Sequence, residues 1–227
     1  CMIKTNFNGG IQRNLADIFV FPPLFSESTS RLNALIGKEE SIDKYKIDWE
    51  KLMEESANIV LLGGKESGKT TLLFYVMKNL LVEENHCNSK FPLFIDFKEL
   101  PTGSNRIQKA ITNYLIEFGI EFTLDDILSE DNWILFVDNL DINNKASYEA
   151  LLRFINDHPN NQFIITIDEE IFGLLPEDNE LNLGIPYQKC YLHSLGRKEI
   201  RTLTENWIKT SLIESNPNEL ADIILLR

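Results

Sequence analysis

Residues 63–70 read GGKESGKT, which fits the pattern G-x-x-x-x-G-K-[ST] with Gly63, Gly68, Lys69 and Thr70 at its fixed positions. Residues 58–62 (NIVLL) form a short apolar, β-branched run before it, and residues 71–81 (TLLFYVMKNLL) continue it with an apolar pattern of helical length. In this order of strand, glycine loop and helix, backbone N–H groups can close around phosphate groups. The stretch therefore predicts a phosphate-binding loop.

The loop residues have distinct predicted roles. Lys69 is expected to reach the β- and γ-phosphates of a nucleotide, and the hydroxyl of Thr70 can ligate Mg²⁺. We therefore predict Mg²⁺ as the cofactor and ATP or ADP as the bound nucleotide. The predicted nucleotide-binding residues are Gly63, Gly64, Lys65, Glu66, Ser67, Gly68, Lys69, Thr70 and Thr71.

A second apolar run, residues 133–138 (WILFVD), ends in Asp138. Nucleotide-binding proteins of this type need an acid from a second strand to organise the metal, so Asp138 is the expected Walker B residue beside Thr70. Asp141 follows three residues later, just beyond the strand end, where ligands of α/β sheets collect. A buried strand that simply ends in a solvated aspartate is the alternative.

Further strands are predicted at residues 91–97, 162–167 and 189–195, alternating with helices at residues 105–118, 145–156 and 197–209. Ser104 is the expected N-cap of the first of these helices. The alternation predicts an α/β fold of the P-loop NTPase type, a parallel sheet of about five strands flanked by helices on both faces. Because Walker B lies on the third strand of the chain, we expect an additional strand between the two Walker strands.

Five segments together resemble the successive blocks of the NACHT-type ATPases of the STAND class, which are signal-transduction ATPases. The segments are GGKESGKTTLL, FPLFIDFKEL, WILFVDNLD, NQFIIT and CYLHSLGRKEIRTLTENW. The resemblance covers about residues 55–210 and implies a molecular switch that binds and slowly hydrolyses ATP. In such an enzyme we expect four catalytic residues. Lys69 would hold the β- and γ-phosphates, Asp138 would organise Mg²⁺, and Asp141 would position or deprotonate the attacking water. Thr166 would contact that water or the γ-phosphate.

Two positions depart from the family pattern, and a third differs from fast P-loop ATPases. Asp141 is followed by Ile142 where family members often carry a further acid, and Asp168 stands where the family usually has the arginine of a Thr-x-Arg sequence. An arginine at the γ-phosphate can contribute about 10³-fold or more to the rate. Asn139 occupies the position where many fast P-loop ATPases have a glutamate base. These departures predict slow hydrolysis and favour a switch over a motor.

The domain prediction has three parts: a lead segment at residues 1–50 that packs on the core, a P-loop NTPase core at residues 51–212, and the start of a truncated helical region at residues 213–227. Cys1 precedes Met2, and the chain stops within an apolar run at residues 223–226. The family resemblance implies that helical and winged-helix segments follow. We therefore expect a domain from a longer signalling protein, without the sensor and effector regions of that protein. The full-length protein is expected to self-associate and, if bacterial, to serve in defence or stress signalling.

The charge predicts which partners are disfavoured. With 22 basic against 35 acidic residues the formal net charge is −13, so we expect no direct nucleic-acid binding by this fragment. Apolar runs stay well short of the roughly 18 residues of a membrane span, and no signal-peptide pattern is present. We expect no membrane partner and a cytoplasmic location.

Two other function classes share the same motifs. One is a P-loop motor or loader that acts on nucleic acid, against which the acidity and the absent arginine weigh. The other is a nucleotide-binding scaffold without hydrolysis, in which Asp141 is only structural. An ATPase assay with and without DNA distinguishes these classes.

Overall fold

The computed structural model of the protein describes residues 2–4, 12–36, 41–82, 90–130, 132–175 and 181–214. The chain divides into a larger compact unit, Leu24–His193, and a smaller one formed from the described parts of Cys1–Pro23 and Ser194–Arg227. Cys1 and the apolar run at residues 223–226 lie outside the described residues. The sequence-based boundaries at residues 50 and 212 therefore stay predictions.

The smaller unit contains a two-stranded antiparallel sheet and two helices. Its elements are β1 (Met2–Lys4), β2 (Gln12–Asn14), α1 (Leu15–Ile18) and α9 (Arg197–Glu214). The strand register pairs Ile3 with Arg13, and α1 packs against α9.

In its described residues, the larger unit contains one six-stranded sheet. Its strands are β3 (Leu24–Phe25), β4 (Ile59–Gly63), β5 (Phe91–Asp96), β6 (Trp133–Leu140), β7 (Gln162–Asp168) and β8 (Gln188–Leu192). Its α-helices are α2 (Thr29–Ile36), α3 (Trp49–Glu54), α4 (Lys69–Val82), α5 (Arg106–Glu117), α6 (Leu124–Ser129), α7 (Lys145–Asp157) and α8 (Glu169–Gly173). Short 3-10 helices lie at Ile42–Tyr45 and Phe97–Glu99.

The strand order is β3–β8–β4–β7–β6–β5, and every neighbouring pair except β3–β8 is parallel. Strand β7 lies between β4, which leads into the glycine loop, and β6, which carries Asp138. The predicted α/β fold with an additional strand between the two Walker strands is therefore confirmed. Strand β5 comes between them only along the chain, and in space it forms the sheet edge.

The centre of the sheet is the core of this unit. All five residues of β4 are buried, and Phe163 on β7 and Trp133 and Phe136 on β6 are fully buried. Strands that are covered on both faces have continuous apolar sequences, which is why these runs were recognisable. Helix α4 packs against β4, β5 and β6, and α5 packs against β5 and α7.

Two local details differ from the sequence-based expectation. The sixth strand, β3, was not predicted because it spans only two residues after Pro22 and Pro23 and gains its place by antiparallel pairing with β8. The N-cap of α5 is Asn105 rather than Ser104. Asn105 has a φ of 54°, a left-handed conformation that asparagine tolerates better than most residues. None of the helices in the described ranges is both long enough and apolar enough to span a bilayer.

Candidate functional site

The glycine loop connects β4 to α4 by a tight turn. Gly68 has a φ of 95° and Glu66 a φ of 62°, while the N–H of Ser67 donates to the carbonyl of Gly64 over 3.3 Å. Helix α4 begins directly after the turn, and its first ladder bond runs from the N–H of Leu72 to the carbonyl of Gly68 over 2.9 Å. The loop thus ends on the N-terminus of a 14-residue helix, where free N–H groups and the helix dipole favour a bound anion.

The nine predicted nucleotide-binding residues are contiguous at this turn. Gly63 is buried at the end of β4, and Lys65, Glu66 and Thr71 are exposed. A Cβ added to Gly63 would lie 2.6 Å from the Ser67 Oγ and 3.3 Å from the Leu192 Cβ. At Gly64 an added Cβ would meet no atom within 4 Å. The loop is therefore packed tightly on the sheet side at Gly63 and open at Gly64.

Lys69 folds over the loop. Its ammonium donates to the carbonyl oxygens of Gly63 at 2.6 Å and Gly64 at 2.8 Å. Burial lowers the pKa of Lys69 below its usual value, while the nearby carboxylates of Asp168 and Asp138 act to raise it. The ammonium is thus held over the loop, within electrostatic range of both acids.

Asp138 connects the loop to the neighbouring strands. Its Oδ2 accepts a hydrogen bond from the Thr70 hydroxyl at 2.6 Å, and its Oδ1 accepts one from the Thr166 hydroxyl at 2.5 Å. Asp138 is only 1% exposed, so this carboxylate is held in a nearly dry position. Thr70 and Asp138, predicted from separate motifs 68 residues apart, are therefore in direct contact.

A β-bulge in β6 sets the direction of Asp138. Val137 pairs with Ile165 and Leu140 pairs with Ile167, so Asp138 and Asn139 together face the single residue Thr166. The Thr166 hydroxyl fills the gap in the ladder: it accepts from the Asn139 N–H at 2.9 Å while donating to Asp138. Thr166 is fully buried. Its observed partners are therefore protein groups, whereas the sequence suggested water or phosphate.

Asn139 and Lys98 extend this network to the sheet edge. The Asn139 amide nitrogen donates to the Asp96 Oδ1 at 3.1 Å and to the Asp138 Oδ2 at 3.2 Å. The amide oxygen of the same side chain accepts from the Lys98 ammonium at 3.1 Å. Neither Asp96 nor Lys98 was among the predicted site residues. The parallel register of β5 and β6, which pairs Asp96 with Asp138, brings them there, and this register is not visible in the sequence.

Asp141 and Asp168 have local hydrogen-bonding roles. The Oδ1 of Asp141 accepts from the backbone N–H of Asn143 at 2.9 Å and from its side-chain amide at 3.1 Å. Asp168 ends β7 and caps α8, accepting from the Glu170 N–H at 2.9 Å. The carboxylate of Asp168 nevertheless acts to raise the pKa of the Lys69 ammonium.

The donor set of the site fits Mg²⁺ and a phosphate chain. A threonine hydroxyl beside a buried carboxylate supplies the hard oxygen ligands that Mg²⁺ prefers, and the remaining positions suit water and phosphate oxygens. The Ser67 Oγ is buried and lacks a hydrogen-bond partner among the described residues, which leaves a polar group unsatisfied within the loop. The residues present therefore fit the predicted cofactor.

The strand, glycine loop and helix, together with a second strand whose Asp138 accepts a hydrogen bond from the loop threonine, define a P-loop type of α/β fold. No known protein-family profile matches the sequence, and no curated protein matches it significantly.

Several solved structures are similar to it at low identity. A chain in the structure of Drosophila ORC bound to DNA is 18% identical, with 67% of this chain and 91% of that chain covered and a TM-score of 0.40. Two further chains come from Drosophila ORC bound to Cdc6 with AT-rich or GC-rich DNA. Each is 17% identical; the first covers 87% of this chain and 70% of its own length at a TM-score of 0.41. The second match covers 92% of this chain and 76% of that chain at a TM-score of 0.40. Likenesses of this strength carry no information about function.

Proposed function

We propose that the protein is an ATP-binding switch domain of the NACHT/STAND type that hydrolyses ATP slowly. One observation carries the proposal: the buried carboxylate of Asp138 is bonded to Thr70 of the glycine loop, next to a lysine already held over that loop. This arrangement matches the needs of a bound Mg²⁺·nucleotide, in which one group must hold the metal and another the phosphates.

Each residue has a role that its contacts support. Lys69 would exchange its two loop carbonyls for the β- and γ-phosphate oxygens, because its ammonium already lies among the loop groups. Thr70 and Asp138 would hold Mg²⁺, which neutralises phosphate charge when bound. Thr166 positions Asp138. Asp141 remains our candidate for orienting the attacking water, with its Oδ2 as the available oxygen, since its Oδ1 serves Asn143.

Slow hydrolysis follows from the residues at two positions. The strand that would supply an arginine to the γ-phosphate ends in Asp168, whose carboxylate repels the charge that develops in the transition state. Asn139, which follows Asp138, has an amide that cannot act as a general base. A bound ATP that persists for a long time suits a switch whose state is read by association of neighbouring copies in the full-length protein.

Two alternatives share this site. A motor or loader acting on nucleic acid would use the same residues, as would a scaffold that binds nucleotide without hydrolysing it. The net charge of −13 weighs against the motor because it opposes approach of a polyphosphate chain at physiological salt. The scaffold would differ from the proposed switch only in that it releases no phosphate from bound ATP.

Calorimetric titration with Mg·ATP and phosphate-release assays with and without DNA test these classes. We expect binding and slow release that DNA does not change, with binding abolished in Lys69→Ala and retained in the control Lys109→Ala, which alters an exposed lysine of α5. DNA-stimulated turnover would favour the motor. Binding without any phosphate release would favour the scaffold, and equal binding by Lys69→Ala and the wild type would reject the assignment of the loop.

A further inference from the structure

Lys98 is an unassigned cation beside the proposed metal-binding pair. It lies in the 3-10 helix Phe97–Glu99, directly after β5, and its side chain is exposed. Because β5 and β6 are parallel and in register at Asp96 and Asp138, the carboxyl ends of both strands lie on the same side of the sheet. Lys98 therefore follows its strand on the side of the sheet that carries Asp138.

A short hydrogen-bond chain connects Lys98 to the loop. The Lys98 ammonium donates to the Asn139 Oδ1 at 3.1 Å, and the Asn139 Nδ2 donates to the Asp138 Oδ2 at 3.2 Å. That same oxygen accepts from Thr70 at 2.6 Å. Asn139 alone therefore separates the ammonium from the carboxylate proposed to hold the metal.

Lys98 forms no direct ion pair among the described residues. Its hydrogen-bond acceptor is an uncharged amide. Lys98 also acts to lower the pKa of Lys69. Two cations thus lie near the site, and the highly charged phosphate chain of ATP would attract both.

We propose that Lys98 binds the γ-phosphate of ATP from the same chain and supplies the positive charge that Asp168 does not. The inference rests on the proposed function. Lysine carries its charge on a flexible four-carbon chain, so the ammonium can leave the Asn139 amide without rearrangement of the backbone. ADP lacks the γ-phosphate, so with ADP bound Lys98 stays on Asn139. Lys98 therefore distinguishes ATP from ADP.

Departure of Lys98 from Asn139 would also signal the nucleotide state. Asn139 joins β5 to β6 through Asp96 and Asp138, and it has a left-handed φ of 58°. When the lysine moves to phosphate, one of the bonds that hold this side chain is lost. The γ-phosphate would thereby alter the end of β6, from which the chain continues towards Asp141.

The test compares ATP and ADP affinities and turnover in Lys98→Met, Lys98→Arg and the control Lys109→Met. We expect Lys98→Met to weaken ATP binding about tenfold, to lower turnover by about 10²-fold and to leave ADP affinity within about twofold. Lys98→Arg should recover most of the loss because it keeps the charge. Equal losses for ATP and ADP, or no loss in Lys98→Met, would overturn the proposal.

A purely structural role through Asn139 is tested by Asn139→Gly, since glycine accepts the left-handed backbone and removes the amide. If Lys98 binds phosphate, Lys98→Met should reduce the preference for ATP over ADP in the Asn139→Gly background as well. If that preference is unchanged by Lys98→Met in this background, Lys98 acts only through Asn139 and the proposal fails. Wild-type protein that binds neither nucleotide would instead reject the proposed function and, with it, the role of Lys98.

Discussion

Asp138 is proposed as a metal ligand because three hydrogen bonds hold its carboxylate in place. Its two oxygens accept from Thr70, Thr166 and Asn139, so neither oxygen is left unpaired despite the burial of the side chain. Asp141 differs because its bonds stay within its own turn, at Asn143. The two acids were predicted from one short motif, yet only Asp138 is joined to the loop.

We predict that substitutions of these two acids differ in kind. Asp138→Ala should weaken Mg²⁺-dependent ATP binding, because it removes a proposed metal ligand and leaves Thr70 and Thr166 without their acceptor. Asp141→Asn keeps an oxygen for Asn143 and should leave binding nearly unchanged while slowing single-turnover hydrolysis. Equilibrium titration beside single-turnover kinetics checks both. Equal effects of the two changes on binding would show that the roles are misassigned.

The buried environment of Lys69 predicts a pH dependence of binding. Phosphate binding needs the protonated ammonium, and burial lowers its pKa in the nucleotide-free protein below the usual lysine value of 10.5. From neutral pH upwards, affinity for ATP should therefore be constant at first and fall as the pH rises through this lowered pKa, by at most about tenfold per unit. Titrations at increasing pH check this. Affinity that stays constant until the usual lysine pKa would contradict it.

The lowered pKa of Lys69 makes the stability of the fold change with pH in the opposite direction to ATP affinity. A lysine pKa that is lower in the folded than in the unfolded protein means that the unfolded state binds more protons above the folded pKa. The contribution of Lys69 to the stability of the nucleotide-free fold therefore rises with pH through the folded pKa, while ATP affinity falls. Binding function and stability thus make opposite demands on this residue.

At the scale of elements, the contact between the glycine loop and β8 explains why the chain needs glycine where β4 ends. We predict that Gly63→Ala is destabilising by roughly 1–3 kcal/mol, as for other overpacked positions, because the added Cβ would meet Ser67 and Leu192. Gly64→Ala is the matched control, since its Cβ would enter open space. Thermal or denaturant unfolding of both variants measures the difference. Equal stability of the two would mean that the loop relaxes freely.

The sequence predicts those parts of the fold and site that are local in the chain. Lys69 and Thr70 follow from one contiguous motif, and β4, β6 and β7 follow from continuous apolar runs. Thr166 contacts Asp138 through the bulge at Asn139, and strand register brings Lys98 to Asn139. Both contacts depend on pairing between segments far apart in the chain. Strand β3 depends likewise on its partner β8. Such pairings leave no periodic signal in a single segment.

At the scale of the whole molecule, the net charge and the acids of the site both disfavour the approach of negatively charged partners. A net charge of −13 disfavours approach to nucleic acid, and the acids around Lys69 place negative charge where a phosphate must enter. Binding of ATP therefore depends on Mg²⁺ and on the few cations of the site, Lys69 and the proposed Lys98. Rising salt should affect it less than it affects a nucleic-acid interface, because few counterions are released.

The last prediction is that the protein turns ATP over slowly and that DNA or RNA does not accelerate it. The end of β7 carries Asp168 where the resembling family usually has an arginine, which in the proposed ATPase would stabilise the transition state, and the Asn139 amide cannot act as a general base. Lys98 would contribute one charge, but as a flexible point charge rather than the planar fork of arginine. Turnover should therefore lie orders of magnitude below the ordinary enzyme median of about 10 s⁻¹. Steady-state phosphate release measures the turnover, with and without DNA or RNA, and a gel-shift assay at physiological salt measures nucleic-acid binding.

In Asp168→Arg, an arginine introduced at the strand end should raise turnover, provided that unfolding measurements show the variant to be folded. Rapid turnover of the wild type stimulated by DNA would instead identify a motor, for which the acidic surface and Asp168 would need another explanation.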